Sequence, residues 1–214
     1  GRSDRSTLMR GGSHPEELTP DNSVRAGVGY GGGDFCLSGD RCLFVQRGGP
    51  LLGMDLVGKH TTPLLPRFGA VASPAVSPDG KSLVCVHSLD GIDVIALARM
   101  DGSRWPTDLV RGADFYMQPA WHPGSHRIAW VEWDNPDMPW DGGRLMEGRV
   151  DGIRPDLVDP SRISGGTPGP LSCTSTVTPL ASVTSRSVMR PLPRGTNLAA
   201  LDSRFSSTWV SRSG

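Results

Sequence analysis

The sequence has few aromatic residues and no sustained apolar run. Aromatic side chains make up only 6% of the 214 residues, a small supply for a compact core. No apolar stretch reaches the roughly 18 residues that a membrane-spanning helix requires. No charged start followed by an apolar segment marks a secretory signal either. We therefore expect a cytoplasmic protein without a membrane partner.

An excess of charge of either sign is also absent. The 22 basic residues are matched by 22 acidic ones, so no global field attracts the chain to nucleic acid. The two Arg-Gly-Gly sequences, at residues 10–12 and 47–49, are isolated copies and do not form an RNA-binding tract. We expect no nucleic-acid partner.

Paired cysteine motifs are missing too. None of the four cysteines belongs to a C-x-x-C pair, which argues against a zinc ribbon or a redox motif. We expect free thiols, with Cys42 and Cys85 buried on strands, and we expect neither a metal site nor a cofactor. The four residues are Cys36, Cys42, Cys85 and Cys173.

A repeat of 45 residues organises the middle of the chain. Residues 74–102 contain short β-rich segments separated by "SPDG" and "DG" turns, and residues 119–152 follow the same pattern. Corresponding positions are Pro74 and Pro119, Pro78 and Pro123, Val84 and Ala129, and Val86 and Val131. Turn dipeptides that end in glycine supply the positive φ that tight hairpins need. A weaker earlier copy contains "FCLSGDRCLFVQ" and "LLGMDLVG".

Repeats of this length, built from four short antiparallel strands, are typical of β-propeller blades. We predict an all-β fold: an incomplete β-propeller of about three four-stranded blades over residues 1–163, the first blade lacking its early strands. An open arc of blades should leave two apolar faces in water. The glycines of "GYGGGDF", residues 29–35, are expected to let the chain pass close to a neighbouring blade. That segment lacks the G-K-[ST] ending of a phosphate loop.

Residues 164–214 differ from the rest in composition. They contain 18 Ser or Thr, five Arg and one acidic residue, and no turn motif appears near Pro168, where the period predicts one. Two explanations compete: a flexible, weakly basic tail, or a shift of reading frame. We favour the frame shift, because the pattern stops where a fourth blade would begin. Either explanation predicts an irregular, disordered segment.

Three stretches together resemble a known family. "YGGGDF", "ADFY" followed by a proline, and "WDNPDMPWDG" occur in the order found in the N-terminal propeller of prolyl-oligopeptidase-type (S9) serine peptidases, acylaminoacyl- or dipeptidyl-peptidase-like branch. The resemblance covers about residues 8–160. It implies a propeller that caps an α/β-hydrolase domain and screens peptides by size. Peptides and that hydrolase domain are the partners it implies.

The catalytic residues of such a peptidase are not found in the sequence. Its serine would lie on a G-x-S-x-G elbow, and no serine here has glycine at both flanking positions; Ser13 has Gly11 before it but Pro15 after it. The histidines are scattered over turns and strands. We therefore predict no catalytic residue and an inactive chain lacking the hydrolase domain. The histidines are His14, His60, His87, His122 and His126.

Two functions remain open. In the first, the chain is a non-catalytic propeller fragment of a prolyl-oligopeptidase-family peptidase. In the second, it is a freestanding TolB-like propeller that binds proteins or peptides, since TolB-like propellers share the "SPDG" turn.

The stretch "WDNPDMPWDG", residues 133–142, is rich in aspartate, proline and tryptophan. Its prolines prevent it from joining a sheet, so we predict a loop between the second and third strands of a blade. Its aspartates lack the alternating spacing of a calcium loop. We expect Asp134 and Asp141 to accept backbone N–H groups, and Trp140 to pack on a blade surface. Asp137 could border the route to an active site in an intact relative.

Overall fold

The computed structural model describes residues 5–150 and 157–165. Nearly all regular structure is β, with one helical turn, α1, at Pro139–Gly142. The strands are β1 (Met9–Arg10), β2 (Glu16–Glu17), β3 (Phe35–Ser38), β4 (Arg41–Val45), β5 (Leu51–Asp55), β6 (Thr61–Leu65), β7 (Ala70–Val76), β8 (Ser82–Leu89), β9 (Ile92–Arg99), β10 (Thr107–Val110), β11 (Phe115–Trp121), β12 (Arg127–Trp133), β13 (Arg144–Val150) and β14 (Leu157–Gly165).

Twelve of these strands form three antiparallel sheets of four strands each. We call β3–β6 blade 1, β7–β10 blade 2 and β11–β14 blade 3; in each sheet the strands pair in chain order. β1 and β2 form a separate two-stranded sheet. The prediction of about three four-stranded propeller blades is confirmed. The tail expected after residue 163 lies, from residue 166 onward, outside the described residues.

Blade 1 corrects one detail of the prediction. It does not lack its early strands, because β3 and β4 supply the first and second, and β6 completes the sheet as the fourth. β3 has only four residues, none of them buried, and β6 contains Pro63 and begins with three exposed residues. Neither strand has an apolar alternation that could identify it.

The 45-residue repeat is visible in the backbone. The pairing of β7 with β8 shifts between Ala72 and Ala75, and that of β11 with β12 shifts at the equivalent place, between Met117 and Ala120. Ser73 and Gln118, which lie within these two bulges 45 positions apart, both have a φ of 49°. The period predicted from the turns therefore also fixes the position of a bulge.

The hairpin turns also agree with the sequence pattern. Asp90 and Gly91, between β8 and β9, have φ values of 53° and 80°. Two successive residues with positive φ are what a two-residue turn of the type favoured in hairpins requires. The dipeptide "DG" therefore sets the register in which Leu89 pairs with Ile92.

Strand alternation sends side chains into two different interblade cores. On β8, Leu83 and Cys85 face blade 1, whereas Val84 and Val86 face blade 3. On β9, Ile95 and Leu97 join the core shared with blade 3, and their neighbours join the core shared with blade 1. A sheet buried on both faces needs apolar residues at successive positions, which explains the continuous run "SLVCV".

The two outward faces of the stack differ. Cys42, Phe44 and Met54 of blade 1 are buried beneath Val24, with Leu8 and Leu18 packed against them. The expectation of two apolar faces in water is therefore wrong for blade 1, because an earlier segment of the chain covers it. On blade 3, the outward-facing Val131 and Leu145 are only half-buried.

Candidate functional site

The loop 133–142 begins where β12 ends and finishes before β13. The prediction that it joins the second and third strands of a blade is confirmed, since β12 and β13 hold those places in blade 3. Pro139 opens the single helical turn α1, where a residue without a backbone N–H is well tolerated. The N–H groups of Asp141 and Gly142 both donate to the carbonyl oxygen of Met138 at 2.9 Å.

Asp134 organises the polar side of this loop. Its Oδ1 accepts the backbone N–H of Asp114 at 3.0 Å, as predicted for this carboxylate. Its Oδ2 lies 2.8 Å from Nη2 of Arg144, which also reaches Glu132 at 3.4 Å. Glu132 in turn accepts the indole N–H of Trp130 at 2.7 Å. These groups satisfy one another, which indicates a structural network.

The same contacts explain the acidity of Asp134. The hydrogen bond from Arg144 is the largest cause that lowers the pKa of this carboxyl below its ordinary value, and the Asp114 N–H contributes in the same direction. A lowered pKa keeps the carboxylate charged at neutral pH. A general acid would need the opposite shift, so Asp134 is not suited to proton donation.

Replacing Asp134 with asparagine should therefore destabilise the protein only where the carboxylate is charged. Its folded pKa is depressed, so its contribution is present above the unfolded value of about 3.9 and is lost as the pH falls through the folded value. The side chain is 44% exposed, which limits the loss at pH 7 to about 1 kcal/mol. Urea unfolding at pH 7 and pH 3 measures it, with Asp141→Asn as the control. An equal loss at both pH values would contradict the ion-pair argument.

The other two predictions for this loop are wrong. The carboxylate of Asp141 makes no hydrogen bond within residues 5–150; the backbone N–H of that residue is the donor in the α1 turn. Trp140 is 74% exposed, so most of its side chain is left uncovered rather than packed on a blade. The buried tryptophan of this loop is Trp133, whose ring stacks on Phe115 with centroids 5.3 Å apart. The α1 turn directs Trp140 outward, and the sequence gives no sign of that turn.

A partly exposed apolar patch lies on this side of blade 3. Tyr30 meets Trp133 edge-on at 5.2 Å, and its hydroxyl donates to Sδ of Met138 at 3.0 Å. Tyr30 and Met138 remain partly exposed, as does Trp140 on the same loop. Exposed aromatic and methionine side chains are typical of contact surfaces. We call Tyr30, Met138 and Trp140 the loop patch.

The "GYGGGDF" segment has the role predicted for it. A Cβ on Gly32 would lie 2.7 Å from Oγ of Ser73 and 2.9 Å from Cβ of Ala72, both on blade 2. The N–H of Gly33 donates to Oγ of Ser73 at 3.0 Å, and the N–H of Ser73 donates to the Gly33 carbonyl at 2.8 Å. The glycines allow the backbone to approach a neighbouring blade.

The histidines do not assemble a catalytic group. His14 lies 3.3 Å from Oγ of its exposed neighbour Ser13. His87 contacts the carbonyl oxygen of Phe68, and His122 and His126 lie together in one exposed turn with ring centroids 5.3 Å apart. No group of three or more His, Cys, Asp or Glu residues in the described part of the chain could hold a metal ion.

The thiols are unsuited to nucleophilic chemistry. Cys42 and Cys85 are buried on β4 and β8, as predicted, and Cys36 is half-buried; all three are free. Burial raises the pKa of Cys36 to about 12, of Cys42 to about 11 and of Cys85 to about 12. A thiol must ionise to attack, so these remain inert at neutral pH. Cys173 lies outside the described residues.

One feature was missed from the sequence: a cavity of about 90 Å³ between blades 1 and 2. Phe68 and Trp105 lie beside it with ring centroids 5.6 Å apart and are 45% and 60% exposed. They belong to two separate connecting segments, so no motif links them. The only signal was the presence of large aromatic residues outside the strands.

Comparisons with known proteins place the fold. No protein-family model and no curated protein sequence matches. A puromycin-hydrolyzing peptidase of Mycobacterium tuberculosis matches with a TM-score of 0.63 and 28% identity over 76% of this chain and 29% of its own. A puromycin hydrolase matches with a TM-score of 0.63 and 23% identity, covering the same shares. A putative TolB of Agrobacterium tumefaciens matches with a TM-score of 0.56 and 18% identity, over 78% of this chain and 60% of its own.

These similarities confirm the resemblance to peptidase propellers and to TolB-like propellers. The chain spans less than a third of the length of the peptidases it matches. The similarity to TolB, at 18% identity, shows the fold alone. Among the described residues, no helix is long and apolar enough to cross a membrane.

Proposed function

We propose that this chain is a propeller portion of a prolyl-oligopeptidase-type serine peptidase, of the acylaminoacyl- or dipeptidyl-peptidase-like branch. In this proposal it performs no chemistry itself and controls the access of peptides to a hydrolase domain in the cytoplasm. The observation that supports it is the similarity to the puromycin-hydrolyzing peptidase, which combines a TM-score of 0.63 with 28% identity.

The chemistry of the described residues supports a role without catalysis. The one close serine and histidine pair, Ser13 and His14, is exposed on adjacent residues. Acyl transfer needs a serine, a base and a group that orients the base. The carboxylates of Glu132 and Asp134 are both engaged with the guanidinium group of Arg144.

The loop patch is the part of the surface best suited to contact a hydrolase domain. Its three side chains are apolar or aromatic, and Asp134, which pairs with Arg144, lies on the same loop as Met138 and Trp140. Interfaces between domains combine partly exposed apolar groups with a polar rim. In this arrangement Asp137, on the same loop, borders the route that a peptide follows.

The proposal predicts that the chain can replace its counterpart in a related peptidase. A chimera of the Mycobacterium tuberculosis peptidase, in which residues 5–165 of this chain replace the matching segment, should retain puromycin hydrolysis. A chimera with the matching segment of the Agrobacterium tumefaciens TolB is the control and should be inactive, since it shares the fold alone. The chain by itself should not turn over an aminoacyl-nitroanilide.

Two results would reject the proposal. Equal activity of the two chimeras would show that any propeller of this fold suffices. Turnover of the nitroanilide by the isolated chain, abolished by a serine-directed inhibitor, would show that the chain is itself catalytic.

The second candidate is a freestanding TolB-like propeller that binds proteins or peptides. The observation that favours it is the larger share of the putative TolB, 60%, that the chain covers. A coding sequence for G-x-S-x-G downstream, in any of the three reading frames, would favour the peptidase, and a signal peptide upstream would favour the TolB-like protein.

A further inference from the structure

We propose that the cavity between blades 1 and 2 is a binding pocket for one branched aliphatic side chain of an extended peptide. The proposal concerns a different surface from the loop patch and does not depend on a hydrolase domain. It stands on the size of the cavity, its lining and its position beside an edge strand.

The size of the cavity favours a side chain over a whole small molecule. Its volume is about 90 Å³. One water molecule needs roughly 10–15 Å³ on this measure, so the cavity has room for a handful of heavy atoms. Sites for drug-sized ligands are commonly about 300–1,000 Å³. Leucine and isoleucine side chains, with four carbon atoms each, match the cavity volume of about 90 Å³.

The lining of the cavity is apolar at the bottom and aromatic at the mouth. Leu65, Val71 and Ala96 provide buried aliphatic walls, together with the thiol of Cys85. Burial keeps that thiol protonated, so it behaves as a small apolar group. Burying a methyl-rich side chain against this surface is favourable. An ionised side chain would find no partner at the base of the cavity, so its burial would be costly.

The aromatic mouth is held in place. The ring of Phe68 stacks on His87 at 5.8 Å with an interplanar angle of 18°, and Trp105 meets it edge-on at 5.6 Å. His87 also contacts the carbonyl oxygen of Phe68 at 2.6 Å. Trp105 remains 60% exposed in this arrangement. A bound peptide would cover this exposed indole, and tryptophan is enriched among the residues that contribute most to binding.

The polar groups at the mouth suit a peptide backbone. Asp108 lines the pocket and lies on β10, which is one of the two edge strands of blade 2 within the described residues. Its carboxylate is partly exposed and pairs with Arg111, itself 72% exposed. An exposed ion pair of this kind is weak, so the carboxylate can instead accept peptide N–H groups. β10 has four residues and offers few backbone hydrogen bonds, so the pocket must supply the selectivity.

Peptides that differ at one position test the proposal on the 214-residue chain. N-acetylated, C-amidated Gly-Gly-Leu-Gly-Gly should bind roughly 50-fold more tightly than its alanine counterpart, since three more carbons are buried. The tryptophan counterpart, which exceeds the volume, should bind no better than the alanine peptide. Titration followed by NMR gives the three dissociation constants.

Matched variants locate the site. Trp105→Ala should reduce the preference for leucine over alanine to below twofold, whereas Leu37→Ala, at an equally exposed apolar residue outside the pocket, should leave it unchanged. Asp108→Asn should weaken both peptides by a similar factor of about three, because it removes the charge that accepts N–H groups. Trp105 and Asp108 are partly exposed, and circular dichroism melts check that both variants remain folded.

The proposal is overturned if the native chain binds the leucine and alanine peptides equally. It is overturned as well if Trp105→Ala and Leu37→Ala change the preference to the same extent. Neither outcome bears on the chimera experiment, so this test and that of the proposed function fail separately.

Discussion

Trp130→Ala is expected to destabilise the protein by about 3–5 kcal/mol. Trp130 is 1% exposed and lies in the core between blades 2 and 3, together with Ile95 and Val86. Its removal leaves a cavity that the two sheets cannot close without moving closer together, which their other packed side chains prevent. It also removes the indole N–H that donates to Glu132.

The control for this substitution is Trp140→Ala. Trp140 is 74% exposed, so its removal should change the free energy of unfolding by less than about 0.5 kcal/mol. Equilibrium unfolding in urea measures both variants. If the two substitutions cost the same, the core between blades 2 and 3 does not stabilise the fold as described.

Gly32→Ala has the second largest expected effect, a loss of about 2–4 kcal/mol. The added Cβ would lie 2.7 Å from Oγ of Ser73 and 2.9 Å from Cβ of Ala72, on a strand that is itself packed. The backbone cannot retreat without breaking the hydrogen bonds between Gly33 and Ser73. Overpacking of this kind commonly costs about 1–3 kcal/mol, and the positive φ of 147° adds to it.

Gly31→Ala is the matched control for the clash. Gly31 also has a positive φ, 80°, but an added Cβ would have no atom within 4 Å. This substitution should therefore cost only the backbone term, about 1 kcal/mol. The difference between the two variants in urea unfolding measures the close approach of the chain to blade 2. A difference near zero would show that the segment can move away.

The parts of the fold that the sequence predicted are those encoded locally. The "DG" and "SPDG" turns require positive φ at defined positions, and the apolar runs of β8 and β9 require burial on both faces. Together they fix a strand length and a period. The bulges at Ser73 and Gln118 share that period because they lie at equivalent positions in two blades.

The parts that the sequence did not predict depend on the orientation of individual side chains and on contacts between residues far apart in the sequence. Whether Trp133 or Trp140 becomes buried depends on the short α1 turn, which no residue pattern announces. The mouth of the pocket joins Phe68 to Trp105 across two connecting segments. β6 was missed because Pro63 and its exposed neighbours resemble a loop, and only pairing with β5 makes them a strand.

The covering of blade 1 by Val24, Leu8 and Leu18 gives the stack of blades a direction. During synthesis the first blade can be sealed on one side by residues that have already left the ribosome. Each later blade then covers the apolar face of the one before it and presents a single new one. The area at risk of aggregation stays roughly that of one blade, however many have folded. New blades are therefore added at one end of the stack only. Within the described residues, that end is the face of blade 3 that carries Val131 and Leu145.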